Sequence, residues 1–224
     1  MNTKTAIIFG ASGLIGNYLL EELILSVKYH KIKVFVRQPI GILQAKVEEI
    51  VVDFSSPDIF SRQIQGDDIF ICLGTTIKKA GSVGRMEKID RDLPVKLASI
   101  ASANRAMRIA VVSSIGANAA SSNYYLRIKG EMEAEIMKLK FENIAIVRPS
   151  MLLGERKEKR AGETAGKIIM NVFSPLMIGK MKKYRAIHGR DVAKAMIAIL
   201  QQEQRKNIYE SDELQKIADL NLKT

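Results

Sequence analysis

"AIIFGASGLIG" (residues 6–16) is the stretch that decides the fold, because it places three glycines where an apolar run gives way to a helical pattern. Glycine weakens a helix or strand interior by about 0.5–1 kcal/mol relative to alanine, so glycines repeated every three residues require a structural reason. The apolar run predicts a strand, and the residues after Gly13 carry apolar side chains at helical spacing. The stretch therefore predicts a tight turn between a strand and a helix.

Each glycine of this turn has a separate role in a dinucleotide site. Gly10 lets the chain turn sharply, Gly13 leaves the backbone open to a diphosphate, and Gly16 lets the helix pack closely on the strand. The unpaired N–H groups of the helix then face the phosphates. An ordinary glycine-rich turn is the alternative. No Gly-Lys-Ser/Thr follows, so a kinase-type or ATPase-type phosphate loop is not supported. The predicted cofactor contacts of the turn are Gly10, Ser12, Gly13, Leu14, Ile15 and Gly16.

Strand-like and helical segments alternate along the chain. Nearly continuous apolar runs predict strands at 5–10, 32–37, 49–53, 68–74, 107–114 and 143–148. Apolar residues at helical spacing predict helices at 14–27, 86–103 and 123–140. Strands that are apolar on both faces are typical of parallel sheets covered by helices on both sides. We therefore predict an α/β fold with a doubly wound parallel sheet, a Rossmann fold.

The pattern changes beyond the sixth strand. Residues 151–190 hold a charged stretch, GERKEKR (154–160), and an apolar run, IIMNVFSPLMI (168–178). This segment is too short for an independent domain, so we predict a small lid on the substrate side of one domain that covers 1–224. A helix at 190–203, a short strand in NIYES and a last helix complete the prediction.

Composition and charge restrict the classes of function. The chain has 224 residues and a net charge of +11, from 35 Lys+Arg against 24 Asp+Glu. One cysteine excludes an internal disulfide framework, and two histidines do not support a Cys/His zinc site. The charges are spread along the chain and the aromatic signature of RNA binding is absent, so we expect an anionic ligand, no nucleic acid and no membrane span. A strand begins by Thr5, which leaves no room for a signal peptide, so we expect a cytoplasmic protein.

Residues at the ends of later strands indicate which dinucleotide binds. NAD sites usually carry an acidic residue at the end of the second strand, whereas this chain has Arg37. A guanidinium grips a 2′-phosphate in a fork, so we expect NADP(H) in preference to NAD(H); a surface arginine is the alternative. Asp53 is placed either to accept from the adenine amino group or to cap the next turn. The other predicted contacts are Phe54, Leu73, Gly74 and Thr75.

A predicted helix carries the candidate catalytic pair. Tyr125 and Lys129 are four residues apart, so they share one helix face. A free tyrosine has a pKa of about 10, and a nearby ammonium group favours its phenolate. The same lysine is placed to hold the nicotinamide ribose, and the hydroxyl of Ser113 or Ser114 to bind a substrate carbonyl. These side chains predict a proton-relay site beside a hydride donor; a surface cation beside a half-buried tyrosine is the alternative.

A second tyrosine and lysine share the same spacing, at Tyr29 and Lys33. They lie between the first helix and the second strand, far in topology from a nicotinamide site. The order of the chain instead favours Tyr125 and Lys129, because a glycine-rich turn and a strand ending in Ser-Ser precede them. We therefore treat the earlier pair as unrelated to the site.

The order GASGLIG, SSIGA, YLRIK and RPS resembles the short-chain dehydrogenase/reductase superfamily, which uses the Gly-x-x-Gly-x-x-Gly spacing. Longer runs are similar to the atypical members typified by the Tat-interacting protein oxidoreductases and their bacterial NAD(P)H-binding or nucleoside-diphosphate-sugar-epimerase-like relatives. The likeness extends over residues 5–200. The runs that carry it are CLGTTIKKAGS (72–82), KIDRDLPVKLA (88–98), SSNYYLRIKGEMEAEI (121–136) and RPSMLLGER (148–156).

The resemblance implies a Rossmann fold, NADPH binding, and a site of Ser114 or Ser113 with Tyr125 and Lys129, in which Pro149 runs beside the nicotinamide. We expect an NADPH-dependent oxidoreductase that reduces a carbonyl or quinone-like small molecule. One alternative is an NADPH-binding regulatory protein that senses redox state and contacts a protein partner. A less favoured alternative is a nucleoside-diphosphate-sugar epimerase, because the chain is much shorter than such enzymes. A homo-oligomer is compatible with the sequence.

Overall fold

The chain alternates strands and helices, as the sequence predicts. A computed structural model describes residues 4–154, 179–203 and 206–221. The strands in these residues are β1 (Lys4–Phe9), β2 (Tyr29–Val36), β3 (Val47–Val51), β4 (Asp68–Ile71), β5 (Arg108–Val112), β6 (Asn143–Arg148), β7 (Leu152–Leu153), β8 (Ile187–His188) and β9 (Ile208–Glu210). The α-helices are α1 (Leu14–Leu25), α2 (Ile77–Ala80), α3 (Val83–Glu87), α4 (Leu93–Ala103), α5 (Tyr124–Ile136), α6 (Gly189–Leu200) and α7 (Ser211–Asn221). The other turns are 3₁₀-helical at Pro57–Gln63 and Gly179–Tyr184, and π-helical at Lys88–Asp92.

Seven of the described strands form one sheet in the order β3-β2-β1-β4-β5-β6-β9. Each neighbouring pair is parallel. The order of the first six is that of a doubly wound dinucleotide-binding sheet, in which ligands bind beyond the carboxyl ends of the strands where the order reverses. The reversal falls between β1 and β4, directly at the glycine-rich turn. The prediction of an α/β fold with a doubly wound parallel sheet is confirmed.

Alternate residues of β1 belong to two separate hydrophobic cores. Ala6 and Ile8 pack with apolar side chains of α1 and α6, whereas Ile7 and Phe9 pack with those of α4 and α5. All four residues are fully buried, which explains why the strand is a continuous apolar run rather than an alternating one. Helix α5, which carries the candidate catalytic pair, therefore lies on the opposite face of the sheet from α1.

The structure describes only part of the chain that follows β6. The short strand predicted in NIYES is present as β9, which pairs with β6 and leads into α7. Most of the predicted lid at 151–190 cannot be compared, because residues 155–178 lie outside the described residues. The flanks of that segment meet as β7 and β8, a two-stranded parallel sheet. None of the helices in the described part of the chain is long and apolar enough to cross a bilayer.

The amino ends of the strands are joined by a buried polar network. The Tyr29 hydroxyl donates to Asp68 over 2.6 Å, and Arg108 Nε donates to the other carboxylate oxygen over 2.5 Å. Burial, followed by the Asp68 charge, raises the pKa of Tyr29 well above its ordinary value. The Lys33 ammonium group donates to the carbonyls of Gln63 and Gln65. This end of the sheet is opposite the glycine-rich turn, so the Tyr29–Lys33 pair is not at the candidate site.

Candidate functional site

The glycine-rich turn is closed by backbone packing that excludes side chains. Gly10 has φ of +91°, which glycine adopts readily, and a Cβ there would lie 2.6 Å from the Cys72 carbonyl oxygen. The N–H of Gly13 donates to the Gly10 carbonyl over 3.0 Å. A Cβ on Gly16 would lie 2.1 Å from that same carbonyl oxygen. Gly10 and Gly16 therefore fix the turn. Gly13 is exposed and is the N-cap residue directly before helix α1.

A cleft of about 1840 Å³ extends from this turn along the carboxyl ends of the strands. It contains every residue predicted for the site except Gly16, which packs behind the turn. The predicted residues that line the cleft are Gly10, Ser12, Gly13, Leu14, Ile15, Arg37, Asp53, Phe54, Leu73, Gly74, Thr75, Ser113, Ser114, Tyr125, Lys129 and Pro149. The structure thus brings together residues that are more than a hundred positions apart in the sequence, from Gly10 to Pro149.

The chemistry of the cleft fits a dinucleotide. The bare backbone at Gly13 leaves space for a diphosphate, and the N–H groups at the start of α1 face that space. Charged side chains in the described lining are mostly basic, namely Arg37, Lys79, Lys88, Lys96 and Lys129 against Asp53 and Asp92. Positive charge in a narrow cleft concentrates anionic ligands. The cleft therefore offers bare backbone at the turn and a mostly basic lining, which suits an anionic dinucleotide.

Arg37 and Asp53 form the wall beyond β2 and β3. Arg37 directly follows β2 and is exposed. Asp53 accepts hydrogen bonds from the Ser55 N–H over 2.8 Å and from the Ser55 hydroxyl over 2.6 Å. These bonds, the hydroxyl one first, lower the pKa of Asp53 below its ordinary value. The Asp53 carboxylate therefore caps the turn after β3, and Asp53 also lines the cleft.

Helix α5 presents Tyr125, Lys129 and Glu133 along one face, because they are four residues apart. Lys129 is 2% exposed, and its Nζ lies 2.8 Å from Oδ1 of Asp90, whose side chain is 1% exposed. One turn further on, Glu133 is buried against two strands of the sheet. The helix is thus held at two charged, buried positions, by the turn Lys88–Asp92 at Lys129 and by the sheet at Glu133. Tyr125 lies one turn before the first of them.

The two candidate serines have different surroundings. The Ser113 hydroxyl donates to Glu133 Oε1 over 2.5 Å, and Arg148 donates to both oxygens of the same carboxylate. Ser113 therefore contributes to the buried anchor between α5, β5 and β6. The Ser114 hydroxyl makes only a long contact of 3.4 Å to the Ile115 carbonyl among the hydrogen bonds of the described residues. Of the two hydroxyls, that of Ser114 is therefore the less engaged by other described groups.

Tyr125 packs beneath the short helices α2 and α3. Its ring contacts an apolar cluster that includes Ala80, Met86 and Ile128. The adjacent Tyr124 packs against the same cluster, but its hydroxyl donates to Glu87 over 2.7 Å. That hydrogen bond to a carboxylate is the main cause that raises the pKa of Tyr124. Tyr125 lines the cleft and Tyr124 does not, so the two neighbouring phenols are chemically distinct.

Asp90 is the functional candidate that residue-by-residue prediction missed. It is fully buried, contacts Lys129, and accepts a hydrogen bond from the Thr75 N–H over 2.9 Å. A signal was present in the KIDRDLP stretch, where Pro94 follows four residues later. Proline cannot donate to the carbonyl four residues earlier, so an α-helix cannot continue undisturbed through Asp90. This local irregularity marks the position, but not its partner.

The fold and the cleft define this chain as a protein of the dinucleotide-binding Rossmann class. The family model described as NAD(P)H-binding matches residues 10–203, so the chain belongs to that family. Rat protein HTATIP2 is 38% identical over 167 residues, which cover 73% of this chain and 69% of the rat protein. FMP52 of Candida glabrata, named as mitochondrial, is 35% identical over 210 residues, which cover 92% of this chain and 89% of that protein. The resemblance to the Tat-interacting protein oxidoreductases is therefore confirmed.

A solved structure of the oxidoreductase ylbE from Lactococcus lactis superposes with a TM-score of 0.66. The alignment covers 98% of this chain and 97% of that chain, at 16% sequence identity. At this identity the likeness supports the fold alone.

The prediction of a cytoplasmic protein is wrong by these comparisons. The FMP52 relatives from several yeasts, which are 30–35% identical, are all named as mitochondrial proteins. The prediction used the early start of β1, and cellular location depends on targeting rather than on the packing of the fold. The early start of β1 is therefore no basis for a cytoplasmic location.

Proposed function

We propose that this protein is an NADPH-dependent oxidoreductase of the short-chain dehydrogenase/reductase type, which reduces a carbonyl or quinone-like small molecule. The observation that carries the proposal is the placement of Tyr125, Lys129 and Ser114 in the same cleft as the glycine-rich turn. A nicotinamide dinucleotide bound there supplies a hydride. The side chains that line the cleft then supply the proton and hold the substrate and the dinucleotide in position.

Each of the three side chains has one task in this proposal. Ser114 donates a hydrogen bond to the substrate carbonyl oxygen and fixes its orientation. Tyr125 donates its phenolic proton to that oxygen as the carbonyl carbon is reduced, so that an alcohol is formed and the phenolate is reprotonated from solvent. Lys129 holds the hydroxyls of the nicotinamide ribose and places positive charge beside the phenol. Thr75 and Pro149 line the cleft around this point.

The proposal is tested by following NADPH absorbance with the purified protein and a panel of aldehydes and quinones. We expect oxidation of NADPH only when a carbonyl or quinone is present, with one alcohol or hydroquinone formed for each NADPH consumed. Binding of NADPH without consumption across the whole panel would contradict the proposal. Tightly retained NAD with no net consumption would instead support the epimerase alternative.

Arg37 supports a preference for NADP(H) within this proposal. It is exposed at the cleft wall after β2, where a 2′-phosphate is recognised in sheets of this kind. We expect Arg37→Ser to weaken NADPH binding by about 10- to 100-fold, because hydrogen bonds to charged groups contribute about 1.5–3 kcal/mol. NADH binding should change little, since NADH lacks the 2′-phosphate. Fluorescence titration with both nucleotides measures the two effects.

Arg62→Ser is the matched control for this measurement. Arg62 is also exposed, but it lies in the 3₁₀ turn Pro57–Gln63 and does not line the cleft. We expect the control to bind both nucleotides as the unmodified protein does. Equal losses of NADPH and NADH binding in Arg37→Ser would show that the arginine does not recognise the 2′-phosphate.

A further inference from the structure

The buried carboxylate of Asp90 contacts two residues that line the cleft, Thr75 and Lys129. Asp90 is 0% exposed, and its two oxygens have different partners. Oδ2 accepts a hydrogen bond from the Thr75 N–H over 2.9 Å, and Oδ1 lies 2.8 Å from Lys129 Nζ without an aligned hydrogen bond. A Cβ on Gly74 would lie 3.4 Å from that same Oδ1 and 4.0 Å from Lys129 Nζ. Asp90 therefore joins α5 to the backbone that follows β4.

The local sequence explains how a carboxylate reaches this position. Asp90 lies in the π-helical turn Lys88–Asp92, where the Leu93 N–H donates to the Lys88 carbonyl. Pro94 has no N–H for the Asp90 carbonyl, and its ring would clash with that carbonyl in a regular α-helix. The wider turn relieves this conflict, and such turns are frequent at functional sites. The turn orients Asp90 toward α5 rather than toward solvent.

We propose that Asp90 is a positioning residue that holds the Lys129 ammonium group in place for cofactor binding. The inference rests on the proposed function, in which Lys129 holds the nicotinamide ribose. A lysine that is 2% exposed has little water around its ammonium group, and the carboxylate at 2.8 Å fixes its position instead. Asp90 also restrains Thr75, so one carboxylate orients the lysine and the cleft backbone together.

Several other charged groups around this pair have partners of their own. Arg91 contacts Glu87 over 2.5 Å and Glu131 over 2.8 Å, and Glu133 is bound by Arg148. Lys79 and Lys88 line the cleft wall nearby. The charged groups on the elements packed around the pair are Lys79, Glu87, Lys88, Arg91, Asp92, Lys96, Arg127, Glu131 and Glu133. In the described structure, Asp90 is the anion in direct contact with Lys129.

The test is a double-mutant cycle in NADPH affinity, measured by fluorescence of the bound nucleotide. Asp90→Asn and Lys129→Met should each weaken NADPH binding by about 10-fold or more, because each removes one member of a charged, hydrogen-bonding pair at the cleft. The double variant should bind about as weakly as Lys129→Met alone, because Asp90 acts through Lys129. Asp90→Glu, which keeps the charge, should recover most of the affinity.

Asp68→Asn is the matched control, because Asp68 is equally buried and paired with Arg108, but at the other end of the sheet. It should lower thermal stability and leave NADPH affinity unchanged. Unchanged NADPH affinity in folded Asp90→Asn, or losses that simply add in the double variant, would overturn the inference. Binding without turnover would contradict only the proposed function, since this assay requires no substrate.

A second measurement applies if Asp90→Asn does not fold. Lys129→Met leaves Asp90 as a buried carboxylate without its cation, so it should lower thermal stability. The double variant Asp90→Asn/Lys129→Met lacks both charges and should recover part of this loss. A double variant that is less stable than Lys129→Met would overturn the pairing.

Discussion

Tyr125→Phe should reduce turnover by about 10²- to 10⁴-fold, the usual contribution of a positioned general acid, while NADPH binding and thermal stability stay near those of the unmodified protein. The substitution removes a hydroxyl and keeps the ring that packs against Ala80, Met86 and Ile128. Steady-state kinetics with the aldehyde or quinone that the native protein reduces fastest measure the first effect. Nucleotide titration and thermal unfolding measure the other two.

The neighbouring tyrosine provides a control within the same helix. Tyr124→Phe removes a hydrogen bond to Glu87 but no group that lines the cleft, so turnover should be retained. If Tyr125→Phe retained turnover as well, Tyr125 would not be the proton donor. A regulatory protein that only senses the cofactor would show the same negligible turnover before and after substitution.

Gly16→Ala should lower the free energy of unfolding by about 3 kcal/mol or more, because overpacking of a tight interface typically costs 1–3 kcal/mol and this contact is closer than most. The added Cβ would lie 2.1 Å from the Gly10 carbonyl oxygen, 2.7 Å from its carbon and 3.0 Å from Ala11 Cα. All three atoms belong to the backbone, so no side chain can move aside. The turn must open, and NADPH binding should weaken with it. Urea unfolding and nucleotide titration measure the two losses.

Gly84→Ala is the matched control, because Gly84 is also helical but has open space where a Cβ would be placed. Alanine there should raise stability by about 0.4–1 kcal/mol through the unfolded chain. If Gly16→Ala were as stable as Gly84→Ala and bound NADPH normally, the close packing of the turn would not be what fixes the site.

The fold was predictable because its signals are local. The continuous apolar run at β1 requires helices on both faces, and the glycines after it require a tight turn, so both features follow from short stretches of sequence. Arg37 was also accessible, since it directly follows a recognisable strand. The order of strands then brings these residues to one edge of the sheet.

The remaining features depend on contacts between distant segments. Ser113 and Ser114 are equivalent in sequence, and only the packing of Glu133 and Arg148 against β5 assigns Ser113 to the buried anchor. Asp90 is one of several acidic residues in a charged stretch, and its pairing with Lys129 depends on how the π-helical turn meets α5. Side-chain partners of this kind are set by tertiary packing, which short sequence patterns do not encode.

We propose that the cleft holds a nicotinamide dinucleotide with its ring directed at Tyr125. A crystal structure of the protein soaked with NADPH tests this most directly. We expect the diphosphate against Gly13, the 2′-phosphate at Arg37, and the nicotinamide between Ser114 and Tyr125 with its ribose on Lys129. A nicotinamide that contacts neither Tyr125 nor Ser114 in the occupied cleft would contradict it.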